Sequence, residues 1–319
     1  MTVVVHKVIL QNNQHFGCKL PLQHLGMLFA ELPLAIRASV SMAFRSRSYV
    51  KGRRPGWLDR AADVRFLDHD GNGKSVLYFE APQLGEAAAD LYAQPSLFPD
   101  SDDRPHKEDT AFDVFGDVLA DVATGNADSE HYDPALLDRI AQFRRVFKNG
   151  PFSEVDFTSR RFPQEAPARL TSELVESAKL LLGRTPRPQR VRIVGQLDGL
   201  TASTQRFSVL LDSGEKITGN FAEDQVDAMQ KLWRQRVLVL GTAVYRASGR
   251  LLRIDAEAVR PGDNEPIIFS RMPSPPGTRI DPAKLRKPQG SKSGINAIIG
   301  KWPGKETEQE ITAILEELS

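Results

Sequence analysis

The chain has one cysteine, Cys18, in 319 residues. A single thiol excludes an internal disulfide framework and a thiolate zinc cage, and it suits a reducing compartment. Charge of one sign is also scarce. With 42 basic against 41 acidic side chains the formal net charge is +1, so bulk charge predicts affinity for neither nucleic acid nor membrane, and any such affinity must be local. No run of about 18 apolar residues occurs, which argues against a membrane span. The start is interrupted by His6 and Lys7 and does not read as a signal peptide. A cytoplasmic protein is therefore expected. Catalytic signatures are missing too: there is no G-x-S-x-G elbow, H-E-x-x-H pair or C-x-x-C pair. His6, His15, His24, His69, His106 and His131 are scattered without ligand spacing. No catalytic residue, metal or cofactor is expected, although an enzyme can assemble its site from distant residues.

What is present is ordinary for a globular protein, 40% apolar and 26% charged, at a length that suits two domains. The stretch from Arg190 to Arg260 has the most specific order of elements. Val191, Ile193 and Leu197 begin an alternation that reaches a polar turn at Thr201 to Gln205. Phe207, Val209 and Leu211 continue it to Asp212-Ser213-Gly214, a turn with a glycine for positive φ, and Glu215 to Phe221 makes the hairpin partner. Val226, Met229, Leu232 and Trp233 then switch to helical spacing, before Val237 to Tyr245 and Leu251 to Val259 alternate again around Arg246 to Arg250. Three strands, a helix and two strands is the order of an OB-fold. In that fold the outer face of strands two and three, with the loops after strands one and four, holds oligonucleotides or oligosaccharides. Arg206, Lys216, Arg246, Arg250 and Arg253 are candidates for phosphate contacts, and Phe207, Phe221 or Tyr245 for base stacking if any of them points outward. The alternative is that the aromatics are barrel core and the arginines are solvated or guard strand edges.

Ahead of the barrel, Thr2 to Leu10 reads as a strand and Leu22 to Arg45 as a helix that Pro33 should break or kink. Arg45, Arg47, Lys51, Arg53 and Arg54 crowd one connection that ends at Trp57. It is either a grip for a phosphate backbone or a solvated loop anchored by its tryptophan. Ala62 to Leu67 and Ser75 to Glu80 make a hairpin whose turn only imitates calcium-binding and phosphate-binding loops. Asp109 to Thr124 reads as a helix in which Asp113, Asp117 and Asp121 recur every four residues, expected as solvent-facing charge. Asp133 caps a helix from Pro134 to Lys148, a strand spans 152–159, and Pro167 to Leu182 reads as helix before a basic proline-rich boundary at Gly183 to Pro188.

After Gly262, proline and glycine recur and the charge becomes basic, until the sign inverts in a final amphipathic helix started by Thr307. The run Gly300-Lys301-Trp302-Pro303-Gly304-Lys305-Glu306-Thr307-Glu308 resembles the ending W-P-G-D-E-T-x-E-E of small bacterial antitoxin-like proteins encoded beside PIN-domain ribonucleases, with Lys305 where that ending carries aspartate. The barrel also resembles a module of uncharacterised bacterial proteins. The first resemblance implies docking of a PIN-type nuclease by the tail. Ile311, Ile314, Leu315 and Leu318 would lie in a groove, Trp302 and Pro303 would anchor, and Lys301 and Lys305 would meet the nuclease's acidic cluster.

The expected architecture is α+β: a mixed domain over 1–183, an OB-like barrel over 187–262, a flexible basic linker over 263–300 and an amphipathic docking helix over 301–319. The leading expectation is a non-enzymatic interaction protein. The alternatives are a nucleic-acid-binding barrel and an enzyme with a distributed site, which a pocket holding carboxylates or histidines with perturbed pKa values would favour.

Overall fold

In chain order the elements begin β1 (Val3–Gln11), α1 (Leu22–Arg45), α2 (Gly56–Ala61), β2 (Arg65–Asp70), β3 (Ser75–Pro82), α3 (Leu84–Ala87), α4 (Ala89–Tyr92) and α5 (Ala111–Ala123). They continue α6 (Pro134–Ala141), α7 (Arg144–Phe147), β4 (Glu154–Phe157), β5 (Ala168–Thr171) and α8 (Ser172–Arg184). The barrel follows with β6 (Gln189–Thr201), β7 (Arg206–Leu210), β8 (Lys216–Asn220), α9 (Val226–Lys231), β9 (Arg236–Tyr245) and β10 (Leu251–Pro261). This computed structural model describes residues 1–11, 19–50, 54–71, 75–93, 104–148, 151–262, 266 and 269–275. Contacts divide the chain into two units, Met1–Pro276 and Gly277–Ser319. Residues 1–183 and 187–262 therefore belong to one unit. Lys51, Arg53 and the whole docking segment from Lys301 to Leu318 lie outside the described residues.

The fold is α+β. The N-terminal sheet is antiparallel in the order β2-β3-β1-β4-β5. His6, Val8 and Leu10 are buried on one face of β1 while Val3 and Val5 are exposed on the other, the period of two that a strand imposes. Val8 lies opposite both Leu77 and Phe157, so the buried row crosses three strands and receives the helices. α1 runs unbroken through Pro33, against the expected break, with Leu28, Leu32, Ile36, Val40 and Phe44 in the core. By length and composition it could cross a membrane, but half of that window is buried against the sheet and neighbouring helices. Residues 168–171, expected as the start of a helix, instead form β5. Ala168 and Leu170 complete the sheet's buried face there, and tertiary pairing with β4 overrides the helical spacing.

The second sheet closes into a five-strand barrel, β10-β8-β7-β6-β9, with α9 between its third and fourth strands as the sequence order requires. Ile193, Leu197, Phe207, Val209, Ile217, Phe221, Met229 and Ile254 fill it. Closure rests on a short parallel pairing of β8 with β10, where a side chain on Gly219 would meet the Ile254 carbonyl and the Phe207 ring at 2.5 Å each. Gly214 takes φ +84 in the β7–β8 turn. Trp233, expected on the apolar stripe of the barrel helix, follows the end of α9 and is 42% exposed.

Val244 and Leu252, from β9 and β10, leave the barrel core and pack in the N-terminal cluster. Around them lies a buried ion network. Arg253 is 1% exposed, and it lies 3.1 Å from both Asp133 and Asp255 and donates at 2.8 Å to the Ser46 carbonyl. Ser46 is the left-handed C-cap of α1 (φ 51), a conformation that costs a non-glycine residue about 1–2 kcal/mol and here turns its carbonyl to the arginine. Asp133, which caps α6 as expected, also accepts from the Ser48 hydroxyl at 2.6 Å. Asp255 accepts from the Tyr49 hydroxyl at 2.9 Å and lies 3.7 Å from Arg47. Burial alone would raise the Asp255 carboxyl, but Arg253 and Arg47 hold it below the usual carboxylate range. Its contribution to stability is thus complete above about pH 4 and is lost as the pH falls through the lowered pKa.

Arg253→Met should leave buried Asp133 without its counter-charge and Asp255 with Arg47 alone, and destabilise the protein by about 3–5 kcal/mol. Urea unfolding of variant and parent checks this, and a loss under about 1 kcal/mol would remove the network from its structural role.

Candidate functional site

Among the described cations expected to meet phosphate, Arg45, Arg47, Arg246, Arg250 and Arg253 are spent holding the barrel to the N-terminal region. The barrel core takes Phe207, Ile217, Phe221 and Ile254, so by strand alternation Arg206, Asn220, Arg253 and Asp255 lie on the outer face. There Asn220, Arg253 and Asp255 are buried. The loop after the first barrel strand touches α1: the Arg45 guanidinium donates to the Gln205 side chain. Burial, then the neighbouring Arg47, lowers Arg45 to about 10. The loop after the fourth strand grips the 126–130 loop. The Arg246 guanidinium donates to the Asp128 carbonyl at 2.7 Å and to Glu130 at 2.5 Å, Arg250 lies 3.4 Å from Asp128, and the Ser248 amide donates to the Ala127 carbonyl.

The aromatic candidates are inside. Phe207 is in the barrel core, and Tyr245 is fully buried with its hydroxyl bonded to the Gln189 side chain, so neither offers a face to a base. Lys216 is exposed and pairs with Asp198 at 3.1 Å, and Arg54, also exposed, lies 3.7 Å from Asp59. Trp57 is buried and meets Phe44 edge-on at 5.4 Å, the anchoring alternative for its loop.

The docking creates a cavity of about 580 Å³ where α1 and α5 meet the 126–131 loop and the barrel. Met42 and Ala43 of α1 form an apolar wall, Asp117 and Asp121 of α5 face it, and Arg206 and Arg246 close it from the barrel side. This corrects the expectation of solvent-facing carboxylates on α5. Asp113 is fully buried, and the Asp117 and Asp121 side chains are only 21% and 23% exposed. Arg161 bridges Asp117 at 2.8 Å and buried Asp109 at 2.9 Å. Even so, burial pushes the Asp117 carboxyl above its usual range against the pull of Arg161. Asp121 accepts from the Ser129 hydroxyl at 2.5 Å and lies 2.9 Å from His131 Nδ1. Because a carboxylate only accepts, that contact places the proton on Nδ1 and leaves Nε2 for another partner. Among the described residues no group of His, Cys, Asp and Glu is arranged to hold a metal ion.

A smaller cavity of about 440 Å³ opens beside β1 and the N-terminus of α5. His6 Nδ1 lies 3.0 Å from the Thr158 carbonyl, Thr110 Oγ1 lies 3.1 Å from His6 Nε2, and the same hydroxyl donates to Asp113 at 2.9 Å. Burial lowers the His6 pKa and so favours neutral imidazole, with the Thr158 and Asp113 interactions opposing it. Asp113 closes the α5 capping box. Burial opposes its charge, but the Thr110 and Arg161 amides hold its carboxyl below the usual range.

Sequence reading missed the Asp117, Asp121, His131 and Arg161 group. The four-residue recurrence on α5 was the one available signal, and nothing local distinguishes such a face from a solvated one. The chain matches no family model, no curated protein and no solved structure.

The opposite pKa directions of Asp113 and Asp117 yield a paired prediction. At neutral pH Asp113→Asn should cost about 1–2 kcal/mol, whereas Asp117→Asn should be neutral or slightly stabilising, because the fold favours its neutral form. The gap should close as the pH falls through the carboxylate range. Urea midpoints at neutral and acidic pH test this, and the reverse order at neutral pH would refute it.

Proposed function

We propose that this is a cytoplasmic, non-enzymatic interaction protein that docks a protein partner through residues 301–319, with a PIN-type nuclease as the partner class. The observation that carries the reading is the pairing of the barrel-facing arginines. Arg45, Arg47, Arg246 and Arg253 hold the barrel on the N-terminal region, so they are committed within the chain. The terminal sequence, from the Trp302-Pro303-Gly304 run to an amphipathic pattern ending at Leu318, then offers the clearest pattern for recognition. A helix with Ile311, Ile314, Leu315 and Leu318 on one side suits an apolar groove, and Lys301 and Lys305 suit a cluster of carboxylates around a divalent ion.

The alternative is nucleic-acid binding by the barrel. Its strand order, with the third and fifth strands parallel and the helix before the fourth, favours an OB-like assignment. The burial of its outer face against the N-terminal region weighs against the customary binding mode.

Alanine at Trp302, Ile311 and Leu315 together should abolish capture of the cognate partner by the full chain while leaving the thermal unfolding of the described body unchanged. Undiminished capture or inhibition of a cognate nuclease by this variant would exclude tail docking. Nucleic acid retained equally by the parent and the triple variant, and released by salt, would move the function to the barrel.

A further inference from the structure

We propose that the free edge of β2 is a dimerisation surface that takes β2 of a second copy of this chain, antiparallel and in one register, with Phe66 of each copy opposite His69 of the other. This goes beyond tail docking and does not depend on it.

β2 ends the N-terminal sheet. It pairs with β3 on one side, and among the described residues no strand pairs with its other side. Five of its six residues are exposed, with Phe66 at 48% and Leu67 at 47%. A bare edge that carries large apolar side chains is a template for another strand. The alternation of antiparallel pairs decides which backbone groups this edge presents. The Gln83 amide donates to the Thr2 carbonyl at 3.0 Å, so β1 and β3 bond through the pairs in step with that one, including His6 with Phe79 and Val8 with Leu77. Phe79 and Leu77 thus turn their amides and carbonyls toward β1. Phe66 and His69, which lie opposite them on β2, turn theirs outward. The His69 amide agrees with this direction, because it bonds to the exposed Asp68 carboxylate at 2.7 Å and not to β3.

Spacing selects a second copy as the occupant. The register shift between Phe66 and Asp68 leaves the outward positions, Phe66 and His69, three residues apart, where a regular strand presents such groups at every second residue. A regular strand can meet only one of the two in register. A strand with the same irregularity meets both, and β2 of another copy has it. Run antiparallel about a twofold axis between Leu67 and Asp68, the two strands exchange amide and carbonyl bonds at Phe66 and His69 on either side of the axis. The Phe66 carbonyl then takes the His69 amide from Asp68, whose carboxylate returns to water. The same register sets Arg65 against Asp70 at both ends. Arg65 keeps its exposed contact with Asp63 at 2.6 Å, so Asp70 contributes opposite sign and not a new anchor. Phe66 already meets Phe29 at 5.5 Å and Phe79 at 5.7 Å, and the pairing covers the part of its ring that these leave bare.

Sedimentation of the full chain between about 1 and about 200 micromolar reads the association, which should be micromolar, as small interfaces are. Leu67→Glu sets a carboxylate opposite Asp68 of the other copy and should weaken the dimer about tenfold. The double variant Leu67→Glu, Asp68→Lys opposes unlike charges twice and should restore it. Both positions are exposed, so thermal unfolding of the variants should match the parent. If Leu67→Glu unfolds at lower temperature, amide exchange at Phe66 of the parent replaces it, and that exchange should slow as concentration rises. Alanine at Trp302, Ile311 and Leu315 should leave the dimer intact, which reads this surface apart from tail docking. A chain that stays monomeric at about 200 micromolar, or a dimer that Leu67→Glu leaves unchanged or the double variant does not restore, overturns the proposal. So does exchange at Phe66 that ignores concentration, or a dimer lost with the tail substitutions.

Discussion

Arg253 carries a guanidinium to a position with 1% exposure, and a charge so placed must be met by counter-charge or left at a cost the fold cannot bear. Asp133 and Asp255 meet it from opposite parts of the chain, one at the cap of α6 and the other on the same barrel strand. Burial would strip the proton from the arginine, and the two carboxylates instead raise its pKa above the usual value. The network reaches further through Ser46, Ser48, Tyr49 and Arg47, so the end of α1, the start of α6 and β10 are fixed by one set of polar contacts.

Apolar packing sets the direction of that docking and the ion network sets its register. Val244 and Leu252 enter the N-terminal core, a contact that tolerates sliding, while hydrogen-bonded ion pairs do not. As a consequence the two barrel loops that the sequence marks as ligand-facing are turned inward, Gln205 against Arg45 and the 246–250 turn against the 126–130 loop. Asn220, on the same outer face, is 2% exposed with both side-chain polar atoms unpartnered, a local cost of about 1–3 kcal/mol. The docking surface is therefore not polar-satisfied throughout, unlike the Arg253 centre.

The same docking encloses the polar cavity. Asp117 and Asp121 sit on a helix whose apolar stripe, Phe112, Phe115, Val118, Leu119 and Val122, faces the sheet and neighbouring helices. In isolation the aspartates would be solvated. Arg161 from the segment after β4, the 126–131 loop and the barrel cover them, and that cover raises the Asp117 pKa and positions His131 on Asp121. A helix face that carries ordinary charge thus becomes a recessed site only when three distant segments arrive.

Periodicity by itself determined the element order. The alternating runs of the barrel, the long apolar stripe of α1, the Asp133 cap and the hairpin of β2 and β3 are local patterns, and short-range sterics and burial decide them. The α+β class follows from the same patterns. Local pattern could not determine β5, because four residues next to a helix carry too little periodicity to show that a neighbouring strand needs an edge partner. Nor could it determine the fate of the arginines. Arg45, Arg47, Arg246 and Arg253 have the same sequence signature whether they meet phosphate, solvent or a buried carboxylate. The answer depends on Asp133, Asp255, Glu130 and Gln205, residues brought beside them only by the folded chain.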